Sequence, residues 1–351
     1  MGVMDHPEND RHRSVFFHRD PATGLSAIIA VHRKWDRPCV GGCRFWSYAD
    51  EGEALADVLR LSRGMTYKCV MAGADYGGSK CVILKPDHLE DRTALFESMG
   101  TFVESLGGLV KTGMDVGLTQ ADVAAMARRS QHIVGTGDYD PADVTAQGVF
   151  EGMKATVRHM TGGDDLTGLK VAIQGVGKIG MKLCEHLYAA GATAAVSDVN
   201  AEAVQQAKDR FGSETCQPDR ILAADADILS PCALGGVLDL ATVDALRVRA
   251  IVGAANNQLA TDEIGERLSA RGILYAPDYI SNAGGLIAVL QDIEGFSADE
   301  MDRRVAHISD SLVEVYETAA RENVSTVAAA NAIANRRIAE RNDRLGRRYG
   351  L

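Results

Sequence analysis

The sequence predicts an α/β fold in two domains, and three observations lead to it. Short β-type runs alternate with amphipathic helical segments along the chain, the pattern of helices laid against sheets. At 351 residues the chain exceeds one typical core. The stretch 135–143 (GTGDYDPAD) is polar and rich in Gly, Asp and Pro, which marks a linker. The first domain is expected over 1–140, joined by a C-terminal helix at about 325–351, and a Rossmann-type second domain over 141–324.

Composition narrows the class. A hydrophobic share of 46% with 24% charged residues suits a soluble globular protein. No apolar run reaches bilayer length, and the N-terminal MGVMDHPENDRHRS lacks a signal-peptide core, so a cytoplasmic protein with a short mobile tail is expected. The seven cysteines are odd in number and form no CxxC pair, which favours reduced, packed thiols. Cys39 and Cys43 bracket Val40-Gly41-Gly42, a spacing read as packing, and no metal site is expected. A net charge of −11 argues against nucleic acid or an anionic membrane as partner and leaves a small molecule.

In chain order, 14–17 and 25–31 are β-type runs joined by Asp20-Pro21-Ala22-Thr23-Gly24, a hairpin-like turn. A third strand is expected around 41–46. An apolar stripe (Leu55, Val58, Leu59, Leu61, Met65) predicts a helix over 53–71, with Lys68 inside it. The glycine break Gly77-Gly78 then opens a buried strand at Lys80, followed by Cys81-Val82-Ile83-Leu84. Complete burial lowers an ammonium pKa by roughly three to five units, which would make Lys80 a base near neutral pH. A lysine paired with a carboxylate or reaching solvent fits this segment equally well. A helix near 91–106 precedes a strand and loop over 108–116, and Thr119 with Asp122 forms a capping box. Asp115 stands where that strand ends, and ligands of open α/β sheets gather at such ends. Alone it reads as a turn aspartate, and its pairing with Lys80 raises it to a candidate. Thr145 is expected to cap a helix over 146–160.

The strand 170–174 runs straight into Gly175-Val176-Gly177-Lys178-Ile179-Gly180, a G-x-G-x-x-G, and then into a helix carrying Met181, Leu183 and Leu187. Gly175 permits the tight turn, Gly177 admits a pyrophosphate, and Gly180 lets helix and strand pack closely. The helix N-terminus adds amide donors for phosphate. The next strand, 193–197, ends at Asp198-Val199, about 20 residues beyond the glycines. The Asp198 carboxylate would accept from both ribose hydroxyls and repel a 2′-phosphate, which favours NAD over NADP. Later strands end in Ser230-Pro231-Cys232-Ala233, in Ala254-Ala255-Asn256-Asn257 and in Pro277-Asp278, small or amide residues that let a flat ring lie close. A helix opens in Ser281-Asn282-Ala283-Gly284-Gly285-Leu286, and long helices near 298–321 and 326–343 close the chain, expected to pack on the first domain or on another subunit.

With these pieces assembled, the chain resembles the amino-acid dehydrogenase family of leucine, valine, phenylalanine and tryptophan dehydrogenases from about Val15 to Arg341. The motifs are GGCR (41–44), SRGMTYK (62–68), GGSK (77–80), TGMDVG (112–117), VTAQGVFEGMKA (144–155), QGVGKIG (174–180), SPCALGG (230–236), GAANNQL (253–259) and APDYISNAGG (276–285). The resemblance implies a substrate and oligomerisation domain, an NAD domain, a cleft that closes between them, and a homo-oligomer. It implies oxidative deamination of an L-amino acid, with Lys68 on the substrate carboxylate, Lys80 activating water and stabilising the carbinolamine, and Asp115 shuttling the amine proton. Thr145 and Asn256 would hold the nicotinamide and the carboxylate side, and Asn282 joins the cofactor contacts. The side-chain pocket would be Val40, Gly41, Met65, Val134, Leu286 and Val289, an apolar set that disfavours glutamate and suits a branched aliphatic substrate. Space at Gly41 and Ala288 would also admit an aromatic ring, and a pocket separates such substrates by only about 1 to 3 kcal/mol per methylene. Cys43, Ala288 and a short 135–143 loop depart from the family pattern near the expected cleft, and bear on substrate choice more than on reaction type.

Two other classes share the cofactor fingerprint. A 2-hydroxy-acid dehydrogenase needs a His base with an Arg clamp, and none of the nine histidines lies at a strand end of the second domain. A non-catalytic NAD-binding homologue would have lost Lys68, Lys80 or Asp115, and all three are present.

Overall fold

The computed structural model describes residues 2–135, 137 and 139–349. Of the expected linker at 135–143, residues 136 and 138 lie outside the described residues, as do 350 and 351 of the expected C-terminal helix. The chain divides into two compact units, Met1–Asp138 with Arg337–Leu351, and Tyr139–Arg336.

The first unit is built on a six-stranded mixed sheet. Strands β1 (Ser14–Asp20) and β2 (Leu25–Val31) form an antiparallel hairpin, and β2 pairs antiparallel with β4 (Gly77–Leu84). Strand β3 (Cys39–Trp46) lies parallel between β4 and β5 (Val110–Gly113), and β5 pairs with β6 (Ile133–Val134). The order β1-β2-β4-β3-β5-β6 depends on long-range pairing that the sequence pattern does not encode. Helix α1 (Glu51–Met71) begins where Asp50 accepts from the Glu53 amide. The opposite face is covered by α2 (Arg92–Ser105), capped by Asp91, and α3 (Gln120–Ala127), whose Thr119–Asp122 capping box forms as expected. Val82, Ile28 and Ala30 pack with Ala54, Val58 and Leu59 of α1, while Cys81, Ile83 and Ile29 pack with Leu95, Phe96 and Met99 of α2. Period-two alternation thus splits the sheet into two cores.

The N-terminal segment is not a loose tail. Glu8 pairs with Arg63 at 3.3 Å, Asp10 with His32 at 3.1 Å, and His12 Nε2 lies 3.0 Å from the Leu59 carbonyl oxygen. These polar residues are spent on α1 and β2 rather than on solvent.

The second unit opens with α4 (Pro141–Thr161). Thr145 does not cap it: Asp140 does, accepting from the Ala142 amide at 2.9 Å ahead of Pro141, and Thr145 Oγ1 donates to the Pro141 carbonyl at 2.6 Å. Proline in the first turn, with its preset φ and no amide hydrogen to satisfy, outranks a threonine further on. Strands β7 (Lys170–Gln174), β8 (Thr193–Ser197), β9 (Glu214–Thr215), β10 (Ile228–Pro231), β11 (Ala250–Ile251) and β12 (Leu274–Tyr275) form an all-parallel sheet in the order β12-β11-β10-β7-β8-β9. This is the doubly wound order, with its reversal between β7 and β10. Helices α5 (Lys178–Ala189), α6 (Ala201–Phe211), α7 (Leu240–Ala245) and α8 (Glu263–Ala270) connect the strands.

Two short helical pieces, α9 (Asp278–Ser281) and α10 (Gly284–Glu294), lead to α11 (Ala298–Glu322) and α12 (Thr326–Tyr349). Helix α11 belongs to the second unit, where the Tyr316 and Thr156 hydroxyls meet at 2.8 Å. Helix α12 is shared. Val327 packs in the second-unit core with Ile264 and Leu268, while Arg337 and Arg341 donate to the Val70 and Ala74 carbonyls of the first unit.

Candidate active site

Strand β4 brings Lys80 onto the α1 side of the first sheet, in the row of Gly78 and Val82, and leaves it 7% exposed. Asp115 follows β5 and forms an ion pair with Lys80. Burial alone would raise the Asp115 carboxyl, but the Lys80 ammonium, the Arg44 guanidinium and the Val116 amide outweigh it and hold it below the usual carboxylate range. Asp115 is therefore ionised at neutral and alkaline pH.

The loop holding Asp115 is tied at several points. The Val116 amide donates to Asp115 Oδ1 at 2.8 Å, and the Val116 carbonyl accepts from the Phe45 amide at 3.0 Å. Gly117 has φ +85°, and a Cβ there would lie 2.0 Å from the Phe45 carbonyl oxygen. The Gly117 carbonyl accepts from Arg92 at 2.9 Å, and Arg92 forms a two-point pair with buried Asp122, both contacts 2.8 Å. Arg44 itself is balanced by Asp57 at 2.8 Å, which also accepts from Tyr48 at 2.8 Å.

The other first-unit candidates surround this pair unevenly. Lys68 and Met65 are half-buried on the last turns of α1. Val40 is buried on β3 in register with Gly78 and Lys111, and Val134 is buried on β6 beside Gly113. A Cβ on Gly41 would lie 1.7 Å from the Ser79 carbonyl oxygen, so β3 and β4 approach here too closely for any side chain. That space already holds the β4 backbone. Cys43 does not share the Lys80 side either: it packs with Cys81 in the α2 core, where burial pushes its thiol well above the usual range.

In the second unit the fingerprint glycines each meet a distinct demand. Gly175 has φ +95° and a Cβ there would lie 2.7 Å from the Ala233 Cβ, while a Cβ on Gly180 would lie 2.0 Å from the Gly175 carbonyl oxygen. Gly177 caps α5, and a Cβ on it would meet nothing within 4 Å. Val176 is buried, Ile179 half-buried and Lys178 exposed at the helix start. Asp198 ends β8, where its Oδ2 accepts from the Val176 amide at 2.8 Å and its Oδ1 from the Asn200 amide at 2.9 Å; Val199 beside it is 93% exposed. Cys232 and Ala233 follow β10 at the reversal of strand order.

Around the start of α10, Asn282 Nδ2 donates to the Ala254 carbonyl at 3.1 Å and to Asn256 Oδ1 at 2.8 Å, and its own buried Oδ1 has no hydrogen-bond partner among the described residues. A Cβ on Gly285 would lie 3.0 Å from Thr145 Oγ1, so α10 and α4 meet closely here. Leu286 and Ala288 are buried on α10 and Val289 half-buried. The open cradle at Gly177, the carboxylate at the β8 end and the orphaned acceptor of Asn282 fit a pyridine dinucleotide: anion, ribose and carboxamide donor respectively. Among the described residues no group of His, Cys, Asp and Glu is arranged to hold a metal ion.

Two family models match the chain. One is the Glu/Leu/Phe/Val dehydrogenase dimerisation domain, over residues 12–135, and the other is Glutamate/Leucine/Phenylalanine/Valine dehydrogenase, over 199–346. The chain belongs to the Glu/Leu/Phe/Val dehydrogenase family. It is 43% identical to a phenylalanine dehydrogenase of Bacillus thermotolerans, over 95% of this chain and 90% of the relative. A leucine dehydrogenase of Thermoactinomyces intermedius is 38% identical, over 96% and 94%. The crystal structure of L-tryptophan dehydrogenase from Nostoc punctiforme is 38% identical, with a TM-score of 0.85 covering 95% of this chain and 97% of that one. This amino-acid dehydrogenase carries residues that its motifs alone did not single out. Gly42 is the foremost: a Cβ there would lie 2.8 Å from the Asp115 Cβ. The signal was a glycine pair inside a strand, which marks close approach.

Proposed function

We propose that this dehydrogenase carries out reversible oxidative deamination of an apolar L-amino acid: substrate, NAD⁺ and water give the 2-oxo acid, NADH, ammonium and a proton. The buried Lys80–Asp115 pair is the observation that carries the reading. NAD, held by the residues named below, would supply the acceptor for the hydride leaving the substrate Cα. Lys68 anchors the substrate carboxylate and so orients Cα. Lys80 polarises the water that adds to the iminium carbon and holds the oxygen that forms there. Asp115, kept ionised by its neighbours, takes the amine proton. Thr145, Asn256 and Asn282 would hold the carboxamide end of the cofactor, and the Gly175–Gly180 turn would receive its pyrophosphate.

NAD is favoured over NADP because the Asp198 carboxylate sits at the strand end where the ribose hydroxyls are read, and would repel a 2′-phosphate. The substrate is favoured as a branched aliphatic residue, since the expected lining of Val40, Met65, Val134, Leu286 and Val289 is apolar. The likeness to a phenylalanine dehydrogenase supports an aromatic substrate as the second reading. A homo-oligomer assembled through the first unit accords with the dimerisation domain matched there. The net charge of −11 supports small-molecule partners over nucleic acid or an anionic membrane, and no described helix is long and apolar enough to cross a membrane.

Recording NADH formation at alkaline pH over a panel of L-amino acids, with NADP⁺ as the alternative cofactor and Lys80→Ala as control, tests this reading. Turnover that peaks with leucine or valine and drops by about 10²- to 10⁴-fold in the variant supports it. A peak with phenylalanine or tryptophan moves the substrate to the second reading, and no turnover across the panel overturns the reaction.

A further inference from the structure

Helix α1 and strand β4 meet backbone to backbone at Thr66 and Gly78, each two residues ahead of one of the lysines. A Cβ on Gly78 would lie 2.1 Å from the Thr66 nitrogen and 2.5 Å from the Ser62 carbonyl oxygen, so the helix backbone rests directly on the strand. The Gly78 amide donates to Thr66 Oγ1 at 3.0 Å, and the Gly78 carbonyl accepts from the His32 amide at 2.9 Å. Both peptide groups of Gly78 are thereby held. Thr66 is fully buried and precedes Lys68 by two residues; Gly78 precedes Lys80 by two.

The hydroxyl of Thr66 is oriented in turn. It accepts from Gly78, so its proton is free for a second partner, and His32 Nδ1 lies 2.9 Å away against 3.4 Å for the Ser62 carbonyl. Placing the proton toward Nδ1 leaves the Nε2 hydrogen for Asp10, 3.1 Å away, and every group is then matched; the opposite tautomer would set two acceptors against each other. His32 is buried on all sides, and burial, with the nearby Arg33 and His12, pulls its pKa down to about 3, so it stays neutral at working pH. The series Asp10, His32, Thr66 and Gly78 runs without a break from the N-terminal segment to the strand that bears Lys80.

We propose that Thr66 is a positioning residue for the reaction, its His32-oriented hydroxyl locking α1 to β4 and so setting the placement of Lys68 against Lys80. This inference rests on the roles given to the two lysines above. A carboxylate anchor and a water-polarising ammonium must engage one substrate together, and a misplacement of about 1 Å can cost roughly 10²-fold in rate.

The test is steady-state kinetics of Thr66→Val and Thr66→Ser beside the wild type, with NAD⁺ affinity measured separately by fluorescence. Thr66→Val keeps the shape and removes the oxygen. It is expected to lower kcat/KM for the amino acid by about 10- to 100-fold through both kcat and KM, while NAD⁺ affinity holds and Thr66→Ser recovers most of the loss. A folded, NAD⁺-binding Thr66→Val with wild-type kcat and KM overturns the inference, as does Thr66→Ser being as impaired as Thr66→Val. Should Thr66→Val not fold, Thr66→Ala, which leaves space for a water at the Gly78 amide, carries the same expectation and the same refutation. A wild type inactive on every apolar L-amino acid would sink the proposed function itself, which is a different result.

Discussion

Asp115 occupies the space that a side chain on Gly42 would need: a Cβ there would lie 2.8 Å from the Asp115 Cβ and 3.1 Å from its Oδ2. The strand is flush against the carboxylate, and the ion pair with Lys80 depends on that clearance. Gly42→Ala is expected to displace Asp115 and lower kcat by about 10- to 100-fold, at a stability cost of about 1 to 3 kcal/mol. Unchanged kcat in a folded Gly42→Ala would show that the clearance is incidental.

Asp115→Asn keeps the shape and removes the charge. A drop in kcat of about 10²- to 10⁴-fold is expected if the carboxylate takes the amine proton. Its pH signature is equally specific. Because the folded carboxyl is held down, the stability it contributes is present above the unfolded value and is lost as pH falls through the folded one. The gap in urea-unfolding free energy between wild type and Asp115→Asn should be level above about pH 5 and close below about pH 4. A gap that instead narrows on going alkaline would contradict an ionised Asp115.

His12 acts in the same direction but in a higher pH window. Burial, with minor repulsion from Arg33 and Arg63, outweighs its bond to Leu59 and brings it down to about 4. A histidine neutral when folded and protonated when unfolded costs stability as pH falls from its ordinary value of 6.5 toward about 4. Unfolding at pH 6, 5 and 4 should show a loss that His12→Gln makes shallower by up to about 1.4 kcal/mol per pH unit. Parallel slopes for the two proteins would argue that His12 titrates normally.

The fingerprint glycines should separate by function. Gly180→Ala has no room, with a Cβ 2.0 Å from the Gly175 carbonyl oxygen, and is expected to destabilise the second unit. Gly177→Ala meets no protein atom within 4 Å, so its melting temperature should stay near wild type while NAD⁺ affinity falls by about tenfold or more. Calorimetry paired with NAD⁺ titration distinguishes them. Intact affinity in Gly177→Ala would mean that the dinucleotide does not approach that backbone.

Much of this was legible from local signals. Glycine and proline punctuation set apart most strands and helices, and the strand, G-x-G-x-x-G and helix series ending at Asp198 took the form its spacing called for. Asp115 stood out because it follows a strand end beside glycines, and Lys80 because a glycine pair precedes it in a buried run, although β4 already begins at Gly77 and holds Lys80 inside it. What could not be read depended on register between distant segments. The contacts of Gly42 with Asp115, of Gly78 with Thr66 and of Gly41 with Ser79 each arise from one strand lying against another part of the chain. The helix start at Asp140-Pro141 was local, and was misassigned to Thr145 because a loop rich in Asp and Pro resembles a linker. The C-terminal helix read as one element of the first domain, yet Val327 and Arg337 serve different cores.

The cysteines have a practical side. Cys39, Cys43, Cys69 and Cys81 all lie within the first unit, fully buried, and burial lifts each thiol far from the reactive thiolate form, to about 12 for Cys39, Cys69 and Cys81. A folded molecule therefore hides four alkylation targets that become available only when the sheet bearing Lys80 comes apart. The protein carries its own clock for that event: alkylation read at these four positions, apart from Cys184, Cys216 and Cys232, counts openings of the first unit with no change to its sequence.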